Sequence, residues 1–154
     1  MIVHLRKQIK NLPIDSRGVK RFAKSVLKGE GRDRGSVTLV FTDDNHMRDL
    51  NQRFRNRDRT TDVLAFPLDE EDETGQLYLG DVIISVPRAI EQAPRFKNDP
   101  ESELARLITH GLLHLLGYDH HSPWDGRRMK AAERKALAGY EPGTLATLGG
   151  GELV

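Results

Sequence analysis

The 154-residue chain contains no cysteine. Its absence excludes disulfides, a thiolate nucleophile and thiolate ligation of zinc, leaving His, Asp and Glu as the side chains able to hold a metal. Long apolar runs are missing as well. Met1 to Gln8 lack the continuous apolar stretch of a secretory signal, and no segment approaches the roughly 20 apolar residues of a membrane span. A cytoplasmic location and no membrane partner are the expectation. Nor does either sign of charge dominate: 24 Lys and Arg against 23 Asp and Glu give a formal net charge of +1, beside 37% hydrophobic residues. That balance excludes a compositionally disordered chain. Chains near this length bury roughly 70% of their unfolded surface, so one domain can form a core without a clamp.

What is present is placed unevenly. Arg48, Arg53, Arg55, Arg57 and Arg59 crowd one stretch, and Asp69 to Glu73 is an unbroken acidic run. Clustered arginine can track a phosphate backbone, and a solvated charged helix face gives the same pattern.

The chain reads as alternating strands and helices, followed by helices alone. Ile2 to Leu5 predicts a short strand. Asp15 or Ser16 then caps a helix carrying Val19, Phe22, Ala23, Val26 and Leu27 on one face and ending at Gly29. Ser36 to Phe41 alternates as a strand, and Thr42, Asp43 and Asp44 start a second helix whose Met47, Leu50 and Phe54 should face the core. Asp62 to Phe66 predicts a strand closed by Pro67 and followed by an acidic loop containing Gly75, and Leu77 to Ile84 another strand. Ser85, Val86 and Pro87 open a helix near Arg88 that runs to about Phe96.

Asp99 and Pro100, with acids behind them, begin a helix that Gly117 stops after about Leu116, and Ser122 and Pro123 begin a last helix to about Ala138. The expectation is an α+β fold: a small mixed, mostly parallel four-stranded sheet with about five helices around it. One domain should span 1–140, with a weakly ordered, glycine-rich tail over 141–154.

Three of the six histidines fall within eleven residues. His110 and His114 are four apart on one helix and can aim two imidazoles at one ion; after the turn at Gly117, His120 can add a third nitrogen. Three neutral ligands leave zinc an open position for water, whose pKa such a site can lower to about 7. A structural zinc would usually have four protein ligands, and Asp119 and His121 are the cheap fourth candidates. His4 and His46 have no partners in sequence. The metalloprotease pattern His-Glu-x-x-His has its general base beside the first ligand, but Gly111 stands there. An anionic substrate that needs charge neutralisation, such as a phosphodiester, therefore fits better than a peptide.

The stretch His110-Gly-Leu-Leu-His114-Leu-Leu-Gly-Tyr-Asp-His120 resembles the signature of the YbeY family of bacterial metal-dependent endoribonucleases. Leu50 to Arg55 with Thr61 to Pro67, and Leu79 to Ile84, are similar to two further blocks of that family, in the same order. The resemblance implies one Zn²⁺ per chain on His110, His114 and His120, with Arg55 and His114 as catalytic residues. It also implies cleavage of single-stranded RNA in the 3′-end maturation of 16S ribosomal RNA and in ribosome quality control, with the small ribosomal subunit and its assembly proteins as partners and no DNA. A guanidinium at position 55 suits phosphate, because it stays charged and offers a planar fork of donors. The chain departs from the family's pattern at Thr60, where proline is common, and at Ala65, where serine is. A metallopeptidase, or a ribosome assembly factor with a structural zinc, are the competing readings.

Overall fold

The computed structural model describes residues 1–57 and 61–148. Strand β1 (Ile2–Lys7) leads to helix α1 (Ser16–Gly29), β2 (Ser36–Thr42), α2 (Asp44–Arg55), β3 (Val63–Glu71) and β4 (Leu77–Ser85). Then come α3 (Val86–Gln92), one turn of 3-10 helix (Ala93–Phe96), α4 (Pro100–Leu115) and α5 (Pro123–Leu137). The sheet order is β1-β2-β4-β3; β1, β2 and β4 run parallel and β3 is antiparallel to β4. The α+β fold with a mixed, mostly parallel four-stranded sheet and five α-helices is as expected.

Each α-helix begins where a short polar side chain satisfies a free N–H. The carboxylates of Asp15, Asp43 and Asp99 accept from Gly18, His46 and Ser102 at 3.0, 2.8 and 2.8 Å, and Ser122 Oγ accepts from Asp125 at 3.1 Å. The main core lies between the sheet and α1 and α4. Val37, Leu39 and Phe41 of β2 and Leu79, Val82 and Ile84 of β4 meet Val19, Phe22, Val26 and Leu27 of α1 and Leu104, Leu107, Ile108 and Leu112 of α4. A smaller cluster of Val40, Met47, Leu64 and Ile83 seals the opposite face under α2.

Three expectations need correction. Strand β3 does not end at Pro67 but continues to Glu71, so Asp69 to Glu71 of the acidic run belong to one arm of a hairpin, and Asp72 and Glu73 to its turn. Proline is tolerated because β3 is an edge strand, where its missing N–H faces no partner, and the acids discourage further strand pairing. The register shifts between Pro67 and Glu70, around Asp69 at φ +48°. Phe54 does not face the core: it is 63% exposed. Finally, the chain beyond Tyr140 is tied down over 141–148. Leu145 and Leu148 are buried, Ala146 pairs with Ile14, and the Thr144 carbonyl sits where a Cβ on Gly18 would be. Residues 149–154, the rest of the predicted tail, lie outside the described residues.

Candidate metal centre

His110 and His114 project from the last two turns of α4, whose end is a Schellman turn. The Gly117 N–H donates to the His114 carbonyl at 3.0 Å and the Tyr118 N–H to the Leu113 carbonyl at 3.1 Å, with Gly117 at φ +98°. The chain thus reverses over the helix end and carries His120 back toward the two helical imidazoles. Tyr118 anchors the reversal, its hydroxyl donating to Glu30 at the end of α1 at 2.5 Å. One ring nitrogen from each of the three histidines lies within 4.8 Å of the others. The rings of His110 and His120 are stacked at 5.5 Å, and the His114 ring stands across both.

This donor set fits a zinc-like ion. His110 Nε2 and His114 Nε2 are 3.1 Å apart, close to the ~3.3 Å expected between nitrogens each about 2.0–2.1 Å from a tetrahedral zinc. His110 Nδ1 lies 2.7 Å from Glu133 Oε1, so the carboxylate can hold the Nδ1–H tautomer and direct the Nε2 lone pair inward. Burial depresses the His114 pKa, and the neighbouring His110 and His120 add to the shift; Arg55 contributes less, against a hydrogen bond to the Tyr118 backbone. A ring kept neutral is a competent ligand. Among the described residues no fourth donor joins this cluster. Asp119 and His121 engage each other instead: Asp119 accepts from the His121 N–H at 3.0 Å, and its other oxygen is 3.5 Å from His121 Nε2. His4 is exposed and His46 half-buried, both remote in sequence and outside the cluster.

The centre opens into a cleft of about 400 Å³ lined by Arg55, Thr61, Asp62, Val63, Ala65, Pro67, His110, Gly111 and His114. Arg55 is the last residue of α2. The chain turns there through Asn56, held at φ +53°, and the Arg55 side chain lines the cleft. Gly111 explains the missing glutamate: a Cβ there would meet Val82 Cγ1 at 2.3 Å and Val63 at 3.2 Å. α4 lies so close on β4 and β3 that this position has no room for a side chain. Ala65 lines the cleft without a hydroxyl. Arg59 and Thr60 fall outside the described residues.

Two features escaped the sequence reading. Glu133 lies on α5 one residue after buried Ala132 and four after buried Met129; an acid beside the inward stripe of a helix near paired histidines was the available signal. Asp62, on the cleft wall, belongs to a polar chain: Gln92 Nε2 donates to Asp62 Oδ2 at 2.9 Å and to Glu103 Oε2 at 2.6 Å. Glu103, fully buried, also takes both prongs of Arg106 at 2.9 and 2.7 Å and the amide of Asn98 at 3.0 Å.

Comparison with known proteins identifies the family. A family model described as Endoribonuclease YbeY matches residues 4–141. The chain is 37% identical over 107 residues to the Endoribonuclease YbeY of Thermodesulfovibrio yellowstonii, covering 69% of this chain and 67% of that protein. It is 35% identical over 141 residues to the Endoribonuclease YbeY of Finegoldia magna, covering 89% and 92%. A Thermotoga maritima protein solved in solution has a similar fold, with a TM-score of 0.57 at 30% identity over 89% of this chain and 90% of that one.

Proposed function

This chain belongs to the YbeY endoribonuclease family, and from that premise we propose that it is a zinc-dependent endoribonuclease cutting single-stranded RNA, with His110, His114 and His120 as metal ligands. The observation that carries the reading is the convergence of three imidazoles, one oriented by Glu133, two of which line a cleft together with Arg55. When bound, zinc supplies a Lewis acid and a water of lowered pKa for attack on a phosphodiester. The rest is done by the protein. Arg55 holds the scissile phosphate through its planar fork and stabilises the charge that builds on it. Glu133 fixes the His110 tautomer, and the close approach of α4 to Val82 and Val63 of the sheet at Gly111 sets the position of the helix that carries His110 and His114. We place the activity in the cytoplasm, in 3′-end maturation of 16S ribosomal RNA and ribosome quality control, with the small subunit and its assembly proteins as partners.

The competing readings fare worse. A peptidase of the His-Glu-x-x-His kind needs a glutamate where Gly111 has no room for one, and among the described residues a structural zinc finds no fourth ligand in the cluster while Asp119 and His121 are engaged together. The test joins elemental analysis of the purified protein with cleavage of a defined single-stranded RNA, with and without chelator. One zinc per chain and chelator-sensitive cleavage are expected, and Arg55→Lys should lower turnover about 100-fold with metal content unchanged. Metal-free active protein would sink the proposal. Wild-type cleavage by Arg55→Lys would remove Arg55 from it.

A further inference from the structure

Phe54 presents a large apolar ring to solvent directly beside Arg55. Its place on α2, four residues after half-buried Leu50 and seven after buried Met47, belongs to the inward stripe of an amphipathic helix. The ring nevertheless stays 63% exposed at the end of α2, beside the small second core, where Phe66 packs against it. The two rings meet edge to face, with centroids 5.3 Å apart and planes at 66°. That contact fixes the ring from one side. The other exposed aromatics of comparable size are differently engaged: Arg127 lies 5.7 Å from the centre of the Trp124 ring and Arg106 3.9 Å from that of Phe96.

We propose that Phe54 is a stacking platform for an unpaired base adjacent to the scissile phosphate, an inference that rests on the endoribonuclease reading above. Phe54 and Arg55 emerge about 100° apart from the end of one helix. A phosphate held by Arg55 in the cleft therefore leaves a neighbouring nucleotide at the edge of β3, over Phe54. Arg53, ion-paired with Asp49 at 3.5 Å, and Arg57, both exposed, stand close to Phe54 in the chain and add positive charge suited to a phosphodiester backbone. Stacking on an aromatic face tolerates any base but requires one that is free of its duplex stack, so this pairing of ring and guanidinium selects single strands without reading sequence. A docking protein segment would use the same ring for its apolar surface alone, and the arginines at positions 53, 55 and 57 favour the nucleic acid.

The experiment uses metal-loaded full-length protein and a defined single-stranded oligoribonucleotide, intact or carrying one abasic nucleotide on either side of the cleavage position. Phe54→Leu keeps an apolar side chain and removes the stacking face; it should raise the apparent Michaelis constant about tenfold, with turnover, metal content and melting temperature near wild type. Phe54→Trp should retain or improve affinity. One abasic substrate should weaken the wild type by a similar factor and cost Phe54→Leu little more, since the partner it has lost is already missing. Equal Michaelis constants for wild type and Phe54→Leu, or equal abasic penalties in both, would overturn the stacking role while leaving the nuclease intact. Absence of any cleavage by the wild type would instead overturn the endoribonuclease reading, and this inference with it.

Discussion

At the N-terminal end of α4, the carboxylates of Glu101 and Glu103 are surrounded by donors. Glu101 accepts from the Tyr140 hydroxyl and from the backbone N–H groups of Gly143, Leu145 and Ala146, the last three at 2.6, 3.1 and 3.0 Å, and Glu103 from Gln92, Asn98 and Arg106. At the C-terminal end, two of the three clustered imidazoles turn nitrogens toward each other across 3.1 Å, and one is oriented by Glu133. Both ends gather polar groups around one buried helix, but to opposite effect. Matched donors and acceptors secure the fold, whereas like groups crowded together gain little from one another and become useful when a cation joins them. Stability and function are thus concentrated two or three turns apart on the same element.

Crossed substitutions at the two ends give the largest effects. His114→Ala should weaken metal binding by more than about 100-fold and abolish cleavage, because two imidazoles do not define a tetrahedral site, while the apo protein unfolds at nearly the same denaturant concentration as wild type. Glu103→Ala should do the reverse. It strands the donors of Arg106, Gln92 and Asn98 in a site where Glu103 is 0% exposed, at a cost of about 3 kcal/mol, with one metal per chain still bound at temperatures where the protein is folded. Denaturant titration and metal analysis on both variants decide the matter. If Glu103→Ala loses metal in step with stability, the two ends are not separable.

Glu133→Gln sits between these extremes. The amide keeps the shape and removes the charge that favours the Nδ1–H tautomer of His110, so metal affinity should fall by about 10- to 100-fold with little change in apo stability. Competition against a chelator of known affinity measures it. Wild-type affinity would mean that the contact at 2.7 Å is packing, not orientation.

How far each end could be read from sequence follows from what sets it. His110, His114 and His120 are a local pattern: helical spacing and one glycine-stopped turn place them, so their convergence was legible, as were the caps and the alternating strands. Glu133 and Glu101 were not. Their partners lie 23 residues away and about 40 to 45 residues away, and only packing makes them neighbours. Periodicity misplaced Phe54 because a helical stripe tells which face is inward, not where the core beneath it stops. Pro67 looks like a strand end in sequence because its edge position in the sheet depends on the order β1-β2-β4-β3, a global property. The glycine-rich composition of the tail concealed Leu145 and Leu148, buried in a segment whose Gly143, Leu145 and Ala146 N–H groups bond to Glu101.

Those bonds give the smallest and most specific prediction. Burial raises the pKa of Glu101, but the hydrogen bonds from Tyr140 and from the Gly143, Ala146 and Leu145 backbone outweigh it and leave the carboxylate below its ordinary value of 4.5. Tyr140, raised by burial and by the same carboxylate, stays protonated and keeps donating through the neutral range. A carboxylate whose folded pKa is depressed contributes stability that is complete above the unfolded value and disappears as pH falls through the folded one. The clamp should therefore hold fully at pH 6 to 8, begin to weaken near 4.5, and be lost at more acid pH. With Glu101 partly exposed and screened by solvent, its worth is about 1 kcal/mol. Glu101→Gln should lower stability by that amount at pH 7 and by progressively less as the wild type is acidified below 4.5. Hydrogen exchange at the Leu145 and Ala146 amides should quicken in the variant, while the amides of α4 near His110 keep their protection. A stability difference that persists unchanged in acid would show that the side chain acts through shape and not through charge.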